Sequence, residues 1–249
     1  MNADRPIPIN QIDNDVLAYQ DTVFLQREEL RSSRLALEFT KADLGMRDQG
    51  IKSTIVVFGS ARTPEDHPDY IAAREFGRIA SERGGALNEA NGGHINVICT
   101  GGGPGIMEAA NRGAHDAGAL SIGLNIELPH EQGVNPYVTP ELSFQFQYFA
   151  LRKMHFAIRA NALVAFPGGF GTLDELFDIL TLKQTGKISG MPIILFGRAF
   201  WSKIINIQAL IDYGTIAAGD VSHFRIVDSA EECWEAIIEH GLALTHGDV

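Results

Sequence analysis

Short apolar runs alternate along the chain with longer segments whose apolar residues recur at helical spacing. The β-branched apolar runs predict strands at 53–60, 95–103, 119–126, 162–169, 191–197 and 224–227. The segments between them predict helices near 69–83, 105–117, 149–160, 172–186, 200–213 and 229–243. Strands that are apolar on both faces and alternate with amphipathic helices are typical of a parallel sheet covered on both sides. We therefore predict an α/β protein with a doubly wound, Rossmann-like, mostly parallel sheet and helices on both faces.

Two segments depart from this alternation. Residues 142–149 alternate apolar and polar positions, which predicts a strand leading into the helix that carries Arg152. Near the N-terminus, a mixed-charge segment has apolar residues at roughly helical spacing: Leu30, Leu35, Leu37 and Phe39. We predict an N-terminal helical extension over 1–50, packed on the main domain or on a partner subunit. We predict that residues 51–249 form a second, Rossmann-like domain.

The charge and the cysteine content limit the kinds of partner and the cellular compartment that we expect for this protein. The formal net charge is −11, which disfavours nonspecific binding to nucleic acid or anionic lipid because each phosphate contact needs a Lys or Arg. The start of the sequence lacks a signal-peptide pattern, and no apolar run is long enough to span a membrane. Cys99 and Cys233 form neither a disulfide framework nor a metal-ligand pattern. We expect a cytoplasmic protein with no nucleic-acid or membrane partner.

Glycine-containing loops follow three of the predicted strands, at 58–62, 100–105 and 167–172. In a doubly wound sheet, ligands bind outside the carboxyl ends of the strands, where the strand order reverses. Close turns at the start of a helix present backbone N–H groups and the positive end of the helix dipole, which suits phosphate. The candidate phosphate-binding residues are Gly101, Gly102, Gly103, Gly105, Gly168, Gly169, Phe170 and Gly171. Ser60 and Arg62 are further candidates for contact with a nucleotide.

The two longer glycine loops match neither of the common nucleotide fingerprints. The dinucleotide pattern G-x-G-x-x-G fails in both, and neither ends in the G-K-[ST] of a P-loop. A mononucleotide or a sugar phosphate is therefore favoured over NAD binding or ATP hydrolysis. We predict that Thr172 caps the helix after the second loop and also offers its hydroxyl to the ligand.

A carboxylate and an arginine are the candidate chemical groups. Glu175 lies close behind the second glycine loop, on the side of Thr172 by i, i+3 spacing, whereas Asp174 points about 100° away. Asp174 therefore fits the ordinary role of an acid that stabilises a helix N-terminus. Arg152, with Lys153, opens the helix before the next strand, where an arginine can bind phosphate with two hydrogen bonds or simply pair with a surface carboxylate.

These motifs together resemble a known family. "PGGFGTLDE" resembles the P-G-G-x-G-T-x-x-E signature of the Lonely Guy (LOG) proteins, "TGGGPGIMEAANRGA" resembles their other glycine motif, and "LRKM" resembles their Arg-Lys pair. The resemblance covers roughly residues 50–215, and "VVFGSART" with the extension is similar to the longer bacterial members. Many relatives are called lysine decarboxylase-like, but a pyridoxal-phosphate decarboxylase needs a Schiff-base lysine that no motif here marks.

The resemblance implies a phosphoribohydrolase, which cleaves a nucleoside 5′-monophosphate to free base and ribose 5-phosphate. It implies Arg152 and Glu175 as the catalytic pair. It also implies substrate binding by Lys153, the run 169–175, Thr181 and, less directly, Glu131. Such chemistry suits a carboxylate that stabilises positive charge on the ribose or activates water. No cofactor is implied, and no metal-ligand motif is present.

Other interpretations of the same residues stay open at this point. The same fold occurs in molybdenum-cofactor carriers, which bind a phosphorylated pterin without reaction, although a carrier needs no carboxylate beside a scissile bond. A nucleosidase for AMP or another monophosphate in salvage would share the chemistry of cytokinin activation. The family resemblance also implies a homodimer or larger homo-oligomer. We expect His155 to pack or cap rather than act as acid or base, and Met107 and Met154 to lie in the core.

Overall fold

The computed structural model describes residues 14–87, 92–127 and 133–242. In sequence order its strands are β1 (Thr54–Phe58), β2 (Val97–Thr100), β3 (Ser121–Ile126), β4 (Ser143–Phe146), β5 (Ala160–Ala165), β6 (Ile193–Phe196) and β7 (Arg225–Val227). Its α-helices are α1 (Thr22–Leu25), α2 (Arg31–Asp48), α3 (Pro68–Arg83), α4 (Ile106–Asp116), α5 (Phe149–Ile158), α6 (Phe170–Gln184), α7 (Arg198–Ile204), α8 (Ile207–Asp212) and α9 (Ala230–Glu239).

The strands form one seven-stranded sheet in the order β4-β3-β2-β1-β5-β6-β7. Every strand pair of this sheet is parallel. The chain moves outward from β1 to β4 on one side and then returns to place β5 on the other side of β1. The strand order therefore reverses between β1 and β5, and the doubly wound α/β prediction is confirmed.

Two cores lie on opposite faces of the sheet because successive strand residues point to opposite sides. Ile55 and Val57 of β1 pack in the core shared with α3, α4 and α9. Val56 and Phe58 pack in the core shared with α2, α5, α6 and α7. The near-continuous apolar composition of β1 is the sequence sign of this burial on both faces.

Helix α2 of the N-terminal extension packs in the second of these cores. Ala42 and Met46 of α2 are buried there, beside α5. Gly45 faces the Phe144 ring so closely that an added Cβ would lie 2.6 Å from Phe144 Cε1. The extension was predicted to pack on the main domain or on a partner subunit, and α2 packs on the main domain. The boundary between two domains near residue 50 stays a prediction.

The predicted helix over 200–213 is divided in two. Ile205 is extended, with φ −121° and ψ 113°, and separates α7 from α8. The Asn206 side chain then accepts a hydrogen bond from Ala209 N at 3.0 Å and caps α8. Helical spacing continued across this break, so only the capping residue could have indicated it. The predicted helix over 229–243 ends at Glu239 as α9, and residue 243 lies outside the described residues.

Candidate active site

The three glycine-containing loops meet at the carboxyl edge of the sheet, at the reversal of strand order. Ser60 N donates a hydrogen bond to Pro167 O at 3.0 Å, and Ile106 N donates to Ser60 O at 3.0 Å. The turn after β1 is thereby joined to the turns after β5 and β2. The crevice that a doubly wound sheet offers at this point is a cavity of about 720 Å³.

Twelve of the predicted site residues line this cavity: Ser60, Arg62, Gly101, Gly103, Arg152, Gly168, Gly169, Phe170, Gly171, Thr172, Leu173 and Glu175. Gly102 and Gly105 instead shape the loop after β2. Gly105 has φ +68°, and an added Cβ would overlap the Ser60 carbonyl oxygen. Gly102 has φ +72° and lies against Asn125, whose Oδ1 would be 2.6 Å from an added Cβ. These positions therefore require glycine for the backbone conformation and for the close approach of neighbouring groups.

Buried polar side chains hold the loop after β2, and the sequence analysis missed two of them. Gly102 N donates to the Thr100 hydroxyl at 2.9 Å, and that hydroxyl donates to Asn111 Oδ1 at 2.7 Å. Asn135 binds the loop from the other side, through its backbone N to Gly102 O at 2.8 Å and its amide to Gly103 O at 3.0 Å. Asn111, within the motif TGGGPGIMEAANRGA, and Asn135 carried no chemical signal of their own because their role is to satisfy backbone groups.

Helix α6 starts earlier than predicted, and this corrects the role of Thr172. The N-cap is Gly169 with no side-chain hydrogen bond, so the prediction that Thr172 caps the helix is wrong. Thr172 is buried in the first turn, where its side chain packs so closely on Gly168 that an added Cβ there would lie 2.7 Å from Thr172 Cβ. Because Gly169 is the N-cap, the first backbone N–H groups of α6 lack intrahelical acceptors beside the cavity.

Glu175 lies in the second turn of α6 and is buried in the cavity wall, with a side chain only 4% exposed. Burial raises the pKa of Glu175 to about 7. The positive charges of Arg152 and Lys153 oppose this shift, and the negative charges of Asp174 and Asp178 add to it. A carboxyl group with this pKa is close to half ionised near neutral pH, a range typical of groups that take part in proton transfer or charge stabilisation.

Arg152 faces Glu175 across the wall, with Nη2 at 3.6 Å from Glu175 Oε1. Its guanidinium lies over the rings of Phe149 and Phe156, at 5.3 and 5.6 Å from the ring centres. Burial lowers the pKa of Arg152, and Arg152 Nε is buried with no hydrogen-bond partner among the described residues. The pair is therefore loosely joined, and Arg152 retains an unused donor.

Asp174 and Glu175 point in different directions, as the i, i+1 spacing predicted. Asp174 is 57% exposed and pairs with Lys153 at 2.8 Å, outside the cavity. Burial lowers the pKa of Lys153, but the hydrogen bond to Asp174 and the nearby carboxylates outweigh it, and the net pKa is raised. Lys153 and Thr181 share a shallow surface depression with Asp174, away from Glu175. Thr181 donates its hydroxyl to Phe177 O at 2.7 Å.

The remaining predicted residues fall into three groups. Glu131 lies outside the described residues. Met107 lines the cavity and Met154 is 48% exposed, so the prediction that both lie in the core is wrong. The Met107 side chain packs against the loop after β2. A Cβ added to Gly101 would lie 2.8 Å from the Met107 sulfur. His155 packs, as predicted: it is buried and its ring lies 4.6 Å from that of Phe39.

Residues 107–237, just over half of the chain, match a family model described as possible lysine decarboxylase. The chain belongs to this family. A rice (Oryza sativa subsp. japonica) protein named probable cytokinin riboside 5′-monophosphate phosphoribohydrolase is 25% identical over 77% of this chain and 79% of its own length. A second rice LOG protein, named cytokinin riboside 5′-monophosphate phosphoribohydrolase, is 32% identical over 68% of this chain and 64% of its own length. The resemblance to LOG proteins is therefore confirmed.

Among solved structures, the fold is similar to that of a molybdenum cofactor binding protein from Rippkaea orientalis. The TM-score is 0.52 at 23% identity, over 77% of this chain and 96% of that chain. At this identity the likeness concerns the fold. Among the residues that the structure describes, none of the helices combines the length and the apolar composition of a membrane span.

Proposed function

We propose that the protein hydrolyses the N-glycosidic bond of a nucleoside 5′-monophosphate. Water adds to C1′ of the ribose, the C1′–N bond breaks, and the base leaves with a proton, which gives free base and ribose 5-phosphate. The observation that carries this proposal is the buried Glu175–Arg152 pair in the wall of a cavity bounded by glycine turns. The names of the LOG relatives agree with this reaction.

Each part of the reaction has a candidate residue in the cavity. The backbone N–H groups at the start of α6 suit the 5′-phosphate, since they are unsatisfied and lie at the positive end of a helix. Ionised Glu175 would stabilise positive charge that develops on the ribose or activate the attacking water. Arg152 would contact the ribose or the leaving base through its unused donor. Apolar side chains including Phe149, Phe200 and Ile204 line the cavity and suit the flat face of a base.

The lysines of the chain do not favour the decarboxylase description of the family. All six fall within the described residues: Lys41, Lys52, Lys153, Lys183, Lys187 and Lys203. The described lining of the cavity contains none of them. A pyridoxal-phosphate enzyme needs a lysine to form its Schiff base at the reacting centre. A hydrolase that relies on a carboxylate and an arginine fits the cavity better.

The test is incubation of the purified protein with AMP and, separately, isopentenyladenosine 5′-monophosphate. Chromatography would follow the free base and ribose 5-phosphate, with the unphosphorylated nucleosides as controls. We expect base release from the monophosphates alone, and the preferred substrate would distinguish cytokinin activation from salvage. Binding of nucleotide without base release from either compound, or from other monophosphates, would contradict the proposal and favour a carrier.

Arg62 is a further candidate for the 5′-phosphate. It lines both the cavity and an adjoining depression that includes Gly168. Among the described arginines, it is the one whose guanidinium has no hydrogen bond or ion pair with the protein. We expect Arg62→Ala to raise KM for the monophosphate about 10- to 100-fold, because charged hydrogen bonds contribute about 1.5–3 kcal/mol. Steady-state kinetics would measure this change.

The matched control is Arg83→Ala. Arg83 is also a partly exposed arginine, but it pairs with Glu231 at the far end of α3. Its replacement should leave KM within about twofold, since surface ion pairs contribute little. Equal KM values for Arg62→Ala and Arg83→Ala would contradict the prediction that Arg62 binds the 5′-phosphate.

We also propose that the protein forms a homodimer or larger homo-oligomer. Large apolar side chains are exposed on α5 and α6 beside the cavity: Phe170 is 92%, Phe149 51% and Phe177 41% exposed. Apolar side chains grouped in this way favour a protein contact. We expect light scattering coupled to gel filtration to give a mass of at least twice 27.1 kDa. A monomeric mass at micromolar concentration would contradict this.

A further inference from the structure

Helix α2 of the N-terminal extension contacts the beginning of α5, the helix that carries Arg152. The Glu38 carboxylate accepts hydrogen bonds from Gln147 N and Tyr148 N, both at 3.0 Å. Tyr148 is the N-cap of α5, and its side chain forms no capping hydrogen bond. Glu38 therefore places a negative charge at the positive end of α5 and satisfies backbone donors there.

Two further contacts join the extension to the last turn and the C-cap of α5. The His155 ring donates through Nε2 to Phe39 O at 3.1 Å. Burial lowers the pKa of His155, which keeps the ring neutral near pH 7. Arg159, the C-cap of α5, pairs with Asp43 at 2.6 Å, and this hydrogen bond lowers the pKa of Asp43. The extension thus contacts both ends of α5.

Arg152 depends on the position of α5 more than on contacts of its own. Its distance of 3.6 Å from Glu175 is too long for a hydrogen bond, and its Nε has no partner among the described residues. The aromatic rings that flank it, Phe149 and Phe156, belong to α5 as well. A small shift of this helix would therefore move Arg152 relative to Glu175, which is held by α6.

We propose that Glu38 is a positioning residue, whose carboxylate caps α5 from the N-terminal extension and so places Arg152 against Glu175. The extension is then a part of the active site that touches no substrate. This inference rests on the proposed function, because Arg152 and Glu175 are the pair it would align.

The experiment compares Glu38→Gln and Glu38→Ala in the full chain, with Glu29→Gln as the control. Glu29 lies on the same extension, but it pairs with Arg27. The substrate is AMP or isopentenyladenosine 5′-monophosphate, whichever reacts faster with the wild type. We expect Glu38→Ala to lower kcat about 10-fold, which corresponds to about 1.4 kcal/mol of activation free energy. Glu38→Gln keeps a neutral hydrogen-bond acceptor, so its kcat should lie between the values for Glu38→Ala and the wild type. Glu29→Gln should match the wild type.

A second readout distinguishes positioning from simple stabilisation. Glu175 is faced by Arg152 and Lys153 from α5 and by Asp174 and Asp178 on α6, and the arginine lowers its pKa. If Arg152 moves away, the rise of kcat with pH should shift to higher pH in Glu38→Ala. Hydrogen exchange of the 147–153 amides should also become faster.

The outcomes separate this inference from the function on which it rests. An inactive wild type would overturn the proposed function and this inference with it. An active wild type whose Glu38 variants keep kcat and the pH profile, even with faster exchange, would overturn the inference alone. Should Glu38→Ala fail to fold, the same criteria apply to Glu38→Gln.

Discussion

Replacing Glu175 with Gln should lower kcat about 10²- to 10⁴-fold and change KM only a few-fold, in the range usual for loss of a catalytic acid or base. Gln has nearly the same shape, so the cavity and the bound phosphate should be kept. It cannot ionise, so it neither stabilises positive charge on the ribose nor accepts a proton from water. Steady-state rates of base release with each monophosphate would measure this effect.

The dependence of the wild-type kcat on pH should follow the ionisation of Glu175. Because burial raises the pKa of Glu175 to about 7, its ionised fraction increases as the pH rises through 7. If the carboxylate form is the active one, kcat should rise with pH across that range and level off above it. The opposite slope, a fall above pH 7, would indicate that Glu175 acts as a general acid.

Asp174→Asn is the matched control for Glu175→Gln. Asp174 is the adjacent carboxylate on α6, but it is 57% exposed and pairs with Lys153 outside the cavity. We expect its kcat to stay within about threefold of the wild type, as for a surface ion pair. A loss as large as that of Glu175→Gln would mean that the reaction depends on the charge of this helix rather than on one buried carboxylate.

Gly113→Ala should lower the free energy of unfolding by about 3 kcal/mol, at the upper end of the usual cost of overpacking. Gly113 is buried where α4 crosses α3, and an added Cβ would overlap the Arg74 carbonyl oxygen and lie 2.7 Å from Arg78 N. Both atoms belong to the backbone of α3, so no side-chain rotation can make room. The steric cost exceeds the gain of about 1 kcal/mol that Ala offers over Gly inside a helix.

Urea unfolding followed by circular dichroism would measure this loss, and the melting temperature should fall by about 6–12 °C. Gly219→Ala is the control, since Gly219 has open space around its Cα and an ordinary φ. Its effect should stay within about 0.5 kcal/mol. Equal stability of the Gly113→Ala variant and the wild type would show that α3 and α4 can separate without cost.

The amino-acid pattern was enough to predict the class of fold and which segments meet around the candidate site. A strand such as β1, which is apolar on both faces, can be buried only between two layers of helices. The pattern of apolar residues therefore predicted the doubly wound sheet. The glycine turns follow strands directly, Glu175 lies in the helix that begins after one of these turns, and strand ends in a parallel sheet share one edge. Local pattern and topology were therefore enough to bring the turns, Glu175 and the Arg152 helix together.

Which side chains face the cavity, and what holds them there, depends on contacts between elements that are far apart in the chain. Lys153 and Thr181 lie in a separate depression, while Met107 lines the cavity, because these directions depend on how α5, α6 and α4 sit on the sheet. The raised pKa of Glu175 comes from burial of its carboxyl group in the folded protein. The contact between Glu38 and the N-cap of α5 joins positions 110 residues apart, and spacing along the chain carries no information on such a contact.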